Sequence, residues 1–179
     1  MLCGVFFLDG CKKDDPTCTK MVSAARIALV DQTQLTEDFG KIDEYLSFKG
    51  LVAQQEPNGT RYIITKLGTG PVPPCLESVI TINYNLKLLY PNGTSSTIEE
   101  SAGSIFRLSG LILGWQLVLP SIPTGSIVKL YVPSGYGYGP NVSGNGGSIS
   151  ANSNLLFEIE LLGVQWLQPF ALPQTTSIN

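Results

Sequence analysis

The chain has 179 residues, which is room for one domain and an N-terminal segment. Its 11 basic and 14 acidic residues give a net charge of −3 and form no basic stripe, which disfavours nucleic-acid binding. Histidine is absent and no CxxC pair occurs, so we expect an activity that needs no metal, no cofactor and no histidine base. The frequent glycine and proline indicate an all-β or α+β fold with many turns.

The first ten residues form an apolar run that ends at Cys11. The run is too short to cross a bilayer, which takes about 20 apolar residues, and it lacks the basic start of a complete signal peptide. Leu8-Asp9-Gly10-Cys11 resembles a bacterial lipobox, with Asp9 as a departure from the usual pattern. We therefore expect residues 1–10 to be a truncated lipoprotein signal and Cys11 to carry the lipid. This predicts an outer membrane lipoprotein of a Gram-negative bacterium, on the periplasmic side or the cell surface. The alternative is an unmodified apolar terminus.

Residues 11–33 have no clean hydrophobic period and are interpreted as a tether. Residues 34–48 are different, because Leu35, Phe39, Ile42 and Leu46 recur at helical spacing while the charged residues, Asp38 among them, are assigned to the other faces. The N-cap is predicted at Thr33 or Thr36. The apolar stripe of this N-terminal helix would either dock on the domain, which we favour, or form a homodimer with a second copy of the chain.

Four segments downstream have the alternation or apolar content of strands. In the clearest one, Val79–Leu89, every second residue from Ile80 onward is apolar, as expected for an antiparallel sheet that is wet on one side. A short strand is also expected around Phe106 and Leu108. The other three segments are 61–67, 127–133 and 155–162.

The stretch Gly110–Gly139 combines a short apolar helix, a strand and a glycine-tyrosine loop. The helix carries Trp115 and is stopped by Pro120 and Pro123. A tryptophan on a short helix beside a strand can be the floor of an apolar pocket, although periodicity alone favours an ordinary core residue. A long polar loop follows Gly139, and loops of this kind are usually functional or mobile.

Taken together, four strings resemble the FK506-binding-protein (FKBP) family of peptidyl-prolyl isomerases: residues 79–84, 110–115, 130–139 and 154–162. The resemblance covers residues 60–165 and leaves 166–179 as a C-terminal tail. It implies an α+β fold, in which a twisted antiparallel β-sheet wraps around one short helix, here preceded by the N-terminal helix. It also implies prolyl isomerase activity on proline-containing polypeptides and binding of FK506 or rapamycin.

The resemblance assigns site residues only where this sequence matches. Trp115 corresponds to the pocket floor, Tyr84 and Phe157 to aromatic walls, and Tyr138 to a loop tyrosine that bonds the ligand. The substrate-binding positions it implies are Leu111, Ile112 with its backbone N–H, Phe106 and Ile149.

The sequence departs from the family at several positions. The usual Phe-Asp pair after the hairpin turn is missing, so the carboxylate near the pocket is lost unless Glu99 or Glu100 replaces it. Ser104 stands where a wall aromatic is usual, and Phe106 is expected deeper in the core. Three hypotheses follow: a lipid-anchored isomerase that assists folding outside the cytoplasm, a catalytically weak or inactive binding module, and a structural lipoprotein.

Overall fold

The computed structural model describes residues 18–73 and 75–165, and the predicted lipidation site Cys11, the lipobox and the C-terminal tail lie outside these ranges. Within them the chain is α+β, as predicted. The helices are α1 (Ala24–Ala28), α2 (Gln32–Phe48) and α3 (Leu113–Val118). The strands are β1 (Gln54–Gln55), β2 (Arg61–Lys66), β3 (Val79–Leu89), β4 (Ser95–Arg107), β5 (Ile127–Val132) and β6 (Leu155–Gln165). No helix in this part of the chain is long and apolar enough to span a membrane.

All six strands join one antiparallel sheet in the order β1-β2-β5-β6-β3-β4. The apolar face of β3 packs with β5, β6 and the short helix α3 into the main core, where Ile80, Ile82 and Val118 are fully buried. The predicted arrangement of a sheet around one short helix is confirmed. Removing these apolar side chains from water supplies most of the stabilisation, at about 25 cal/mol per Å².

Strand β4 is longer than the sequence pattern predicts: it has 13 residues, whereas a short strand was expected around Phe106 and Leu108. It lies at the edge of the sheet, where one face is solvated, so its sequence has no apolar alternation to reveal it. Its pairing with β3 slips twice, between Ile82 and Tyr84 and between Leu86 and Lys87. Gly103, at φ +65°, lies in the first slip and donates from its N–H to Asn83 Oδ1 at 2.9 Å.

Helix α2 docks on the opposite face of the sheet. Its Ile42, Tyr45 and Leu46 form a second buried cluster with strand residues that include Tyr131 and Leu156. The prediction that this face would be wet is therefore wrong where α2 covers it. The stripe is thus docked on the domain, which is the alternative favoured from the sequence.

The start of α2 and one of its faces also differ from the sequence prediction. Asp31, not Thr33 or Thr36, is the N-cap, and its Oδ1 accepts hydrogen bonds from the N–H groups of Thr33 and Gln34 at 2.9 and 3.1 Å. Asp38, which was assigned to a charged outer face, is completely buried. Its side chain is satisfied by polar partners on the domain, which periodicity cannot reveal.

Residues 18–30 do not behave as a free tether. Ser23 caps the short helix α1, and Ile27 and Val30 pack against the main core. The guanidinium of Arg26 donates to Gln116 Oε1 on α3 at 2.9 Å. The N-terminal segment therefore lies along the domain from residue 18 onward. Its apolar residues pack on the domain although they are not spaced at a helical period, which is why the sequence pattern did not predict this contact.

Candidate functional site

Helix α3 is held tightly against strand β5, and this contact fixes the position of Trp115. A Cβ added to Gly114 would lie 2.7 Å from Val132 Cγ1, so only glycine permits this approach of helix to sheet. The next residue, Trp115, is 3% exposed. Its indole is thus placed beneath an opening between β3, β4 and β6.

Three aromatic side chains surround the indole of Trp115. The centroid of Phe157 lies 5.0 Å from that of Trp115 at 89°, and that of Tyr84 lies 5.6 Å away at 80°. Phe106 completes the set at 6.5 Å and 84°. Edge-to-face pairs of this kind contribute about 0.5–1.5 kcal/mol each beyond the burial of their area. The four rings therefore form a rigid aromatic cup, defined by Tyr84, Phe106, Trp115 and Phe157.

A cavity of about 180 Å³ lies within the aromatic cup. A cavity of this size has room for several water molecules, and so for one small ring. The structure brings seven of the eight residues assigned to the pocket to its wall: Tyr84, Phe106, Leu111, Ile112, Trp115, Tyr138 and Phe157. Leu86 and Glu99 also line the cavity. Trp115 is thus both a core residue and a floor, so the two interpretations of it are compatible.

Ile149 is the assigned residue that does not line this cavity. It lies in the loop after Gly139, where it pairs with Ser143 through an isolated bridge, and it is 2% exposed. Its side chain belongs to the main core. Phe106 also differs from expectation, because it is half-buried on the cavity wall and not deep in the core.

The carboxylate of Glu99 stands at the cavity rim, where it accepts a hydrogen bond from the Tyr84 phenol. Glu99 reaches this face because β4 carries Ile98 as an extra residue opposite the step from Leu86 to Lys87. Glu99 consequently pairs with Leu86, and directly paired residues present their side chains on the same face. Glu100 instead accepts from Asn85 Nδ2 at 2.5 Å, so only Glu99 is available to replace the missing carboxylate.

The tyrosine hydroxyls of the cavity are weaker acids than usual. Burial, reinforced by the hydrogen bond to Glu99 and by its charge, raises the pKa of Tyr84 to about 12. Burial and then the Glu99 charge also raise the pKa of Tyr138. Both phenols are therefore protonated at neutral pH. The Tyr84 O–H donates to Glu99, whereas the Tyr138 O–H donates to no acceptor in the described part of the chain.

Two N–H groups of residues that line the cavity have no acceptor in the described part of the chain. The backbone N–H of Ile112 precedes α3 and has no acceptor among residues 18–73 and 75–165. The buried indole N–H of Trp115 is likewise without a partner in these ranges. Unpaired donors in an apolar cavity are costly unless a ligand accepts from them, so the arrangement favours a ligand that presents carbonyl oxygens.

Comparison with known proteins gives a consistent result. The family model described as FKBP-type peptidyl-prolyl cis-trans isomerase matches residues 70–162. The isomerase FkpA of Aeromonas hydrophila is 30% identical over 131 residues, which are 72% of this chain and 47% of that protein. The outer membrane protein MIP of Legionella longbeachae is 36% identical over 111 residues, covering 61% of this chain and 46% of that protein.

Among solved structures, a peptidyl-prolyl cis-trans isomerase from Pseudomonas syringae pv. tomato superposes with a TM-score of 0.59 at 28% identity. The match covers 75% of this chain and 96% of that one. The chain spans about half the length of the curated relatives it matches. The residues matched by the family model include the whole aromatic cup and exclude helix α2.

Proposed function

The chain belongs to the FKBP-type peptidyl-prolyl cis-trans isomerase family, and from this we propose that it accelerates rotation about X–Pro peptide bonds in polypeptides bound at the aromatic cup. The observation that carries the proposal is the small aromatic cavity over Trp115, which is also lined by Tyr138 and Ile112, whose O–H and backbone N–H have no acceptor among the described residues. The cavity has room for a proline ring.

The reaction suits a site without a nucleophile or a strong base. Amide resonance sets a rotation barrier of about 18–20 kcal/mol, while cis and trans X–Pro differ by only about 0.5–1 kcal/mol. The twisted transition state has lost resonance and is less polar than either planar ground state. A dry aromatic cavity therefore stabilises it relative to the ground states, which lowers the barrier without any covalent step.

Each part of the cavity has a role in this mechanism. Trp115 supports the proline ring from below, and Tyr84, Phe106 and Phe157 enclose it with Leu111 and the Ile112 side chain. The Tyr138 O–H and the Ile112 N–H donate to carbonyl oxygens that flank the proline. These two donors hold the flanking peptide while the bond rotates, and Glu99 holds Tyr84 in its orientation.

A protease-coupled assay on proline peptides with the full chain tests this proposal. We expect a rate above the uncatalysed isomerisation, which takes tens of seconds or more, and inhibition by FK506 or rapamycin. A rate equal to background at micromolar protein would contradict the isomerase assignment.

A catalytically weak or inactive binding module is the second candidate, and it is favoured by the residues around Ser104. The Ser104 hydroxyl bonds that of Ser101 at 2.6 Å and supplies no aromatic wall, so one side of the site is less enclosed. Rapamycin titration followed by tryptophan fluorescence separates the candidates. Binding of rapamycin without acceleration of isomerisation would identify a binding module. If the chain shows neither binding nor acceleration, a structural role remains.

We also propose that the chain works outside the cytoplasm on a lipid anchor at Cys11. The support is the lipobox-like sequence that ends at Cys11 and the similarity to a relative named an outer membrane protein. Stable anchorage requires more than one acyl chain, because a single chain binds a membrane only marginally. The substrates in this proposal are proline-containing polypeptides that fold in that compartment.

A further inference from the structure

Asp38 is a fully buried carboxylate on α2, outside the matched family domain and outside the cavity. Burying a carboxylate is expensive unless its oxygens are hydrogen-bonded. Here Oδ2 accepts from the Ser134 backbone N–H at 2.9 Å and from the Ser134 hydroxyl. Oδ1 accepts from Gln34 Nε2 at 3.0 Å, and Lys41 Nζ lies 4.0 Å away.

Ser134 in turn organises the loop that carries Tyr138. Its carbonyl accepts from the N–H groups of Gly137 and Gly139 at 2.9 and 2.8 Å, which bracket Tyr138. A second contact between α2 and the same loop is made by Phe39, whose ring meets that of Tyr136 edge-on at 6.3 Å. Helix α2 thus contacts this loop through the Asp38–Ser134 hydrogen bonds and through the Phe39–Tyr136 ring contact, and the first of these reaches the residue whose carbonyl accepts from both glycines.

We propose that Asp38 is a positioning residue for the prolyl site: through Ser134 it sets the Tyr138 loop, so ligand affinity depends on a helix that the family model does not match. This inference rests on the proposed function for its effect on catalysis. Its structural part, that Asp38 fixes the loop, is independent of catalysis. A residue that only docks α2 would affect stability and leave the loop and the affinity unchanged.

The test uses the full chain with Asp38→Ala, Asp38→Asn and Ser134→Ala. Asp38→Ala removes both acceptor oxygens, and we expect rapamycin affinity and kcat/KM to fall about tenfold. Asp38→Asn keeps one carbonyl oxygen for Ser134 and should recover part of the loss. Asp38→Ala combined with Ser134→Ala should be no worse than Asp38→Ala alone, because the shared contact is already gone.

The matched control is Glu44→Gln, on an exposed face of α2. Glu44 is exposed and makes no hydrogen bond or ion pair with the described residues. We expect wild-type affinity and wild-type kcat/KM for this variant. An equal loss in Glu44→Gln would show that any charge change on α2 has the effect, and would overturn the specific role of Asp38.

Amide hydrogen exchange separates positioning from docking. In Asp38→Ala the Gly139 N–H should exchange about tenfold faster, while the amides of β3 and β6 keep their protection. Asn154 Oδ1 also accepts from the Ser134 N–H, at 3.1 Å, so the loop is loosened and not unfolded. Unchanged Gly139 exchange and unchanged affinity, beside a lower Tm, would overturn the proposal.

The outcomes for the two proposals remain distinguishable. If the wild-type chain binds rapamycin without isomerase activity, the enzyme proposal fails and the affinity series still tests Asp38. If the wild type does neither, the exchange of Gly139 in Asp38→Ala still decides whether Asp38 fixes the loop. If Asp38→Ala does not fold, Asp38→Asn and Ser134→Ala carry the same readouts, and wild-type values in both would overturn the proposal.

Discussion

The phenol of Tyr84 donates its hydrogen bond to the carboxylate of Glu99, and both residues line the cavity. The two residues belong to neighbouring strands and meet because β4 carries one extra residue at Ile98. The contact couples the charge at the cavity rim to the orientation of an aromatic wall. Its effect can be measured as a change in the pKa of Tyr84.

Replacing Glu99 by Gln should lower the pKa of Tyr84 from about 12 but leave it above the usual value of 10, because burial is the largest cause of the shift. The ultraviolet absorbance of phenolate measures this, with Tyr84→Phe to assign the transition. Glu100→Gln is the control, since Glu100 bonds Asn85. Equal titration curves for Glu99→Gln and wild type would contradict the coupling.

The same shift predicts the pH dependence of stability. The Tyr84 pKa is higher in the folded protein than the usual value of 10, so the unfolded chain loses this proton first as the pH rises. The contribution to the free energy of unfolding is therefore complete below pH 10 and is lost as the pH rises to about 12. In Glu99→Gln this loss should begin at the same pH and finish at a lower one.

Tyr138→Phe removes one hydroxyl and leaves the ring in the cavity wall. We expect kcat/KM to fall about fivefold, which corresponds to about 1 kcal/mol for one neutral hydrogen bond. Tyr90→Phe is the matched control, because Tyr90 is 42% exposed in the hairpin turn and does not line the cavity. Equal activity of the two variants would remove Tyr138 from the list of donors.

Ile112→Pro deletes the second donor at a position whose backbone accepts proline. Ile112 has φ −58°, and Leu111 before it is extended at φ −91° and ψ 172°. We expect ligand affinity to fall about tenfold with little loss of stability. Ile112→Ala, which keeps the N–H and removes the side chain, shows how much of the loss is packing. If Ile112→Ala loses as much as Ile112→Pro, the N–H has no role.

Trp115→Leu tests whether the indole is a floor as well as a core residue. We expect kcat/KM to fall at least tenfold and the free energy of unfolding to fall by about 2–3 kcal/mol, from lost packing and aromatic contacts. Leu119→Ala is the control, since Leu119 is fully buried and does not line the cavity. It should cost about 2–5 kcal/mol of stability but keep the activity of the folded fraction. Parallel losses of activity in both variants would reduce Trp115 to a core residue.

Cys11→Ser tests the lipid anchor. We expect the wild-type chain, expressed with a functional export signal in a Gram-negative host, to appear in the membrane fraction and Cys11→Ser to appear in the soluble fraction. Cys3→Ser is the matched control, because Cys3 does not end the lipobox-like sequence. Membrane association of Cys11→Ser would exclude lipidation at this residue as the anchor.

Local patterns predicted the parts of the fold whose burial is periodic. The alternation in Val79–Leu89 identified β3, and the spacing of Leu35, Ile42 and Leu46 identified most of α2. The resemblance of the four strings to the family, taken together, named seven of the nine residues that line the cavity. The strand and helix predictions succeeded because each depends on one element with one buried face.

The errors share a different cause. Strand β4 is an edge strand with a polar sequence, so nothing in its pattern marks the strand or its extra residue at Ile98. Ile149 was assigned to the pocket by position in a loop, and the fold of that loop turns it into the core. Asp38 was assigned to a face of α2 away from the apolar stripe, yet it is buried against Ser134.

The amino-acid sequence by itself determined the strand and helix content, the floor of the cup and the family. The tertiary structure decided which carboxylate meets the cup and which helix holds its loop. The Tyr84–Glu99 bond depends on the register between two strands, and the Asp38–Ser134 bond joins residues 96 positions apart. Neither leaves a local signal, because a hydrogen bond between distant residues needs only the approach of its two groups and no repeat along the chain.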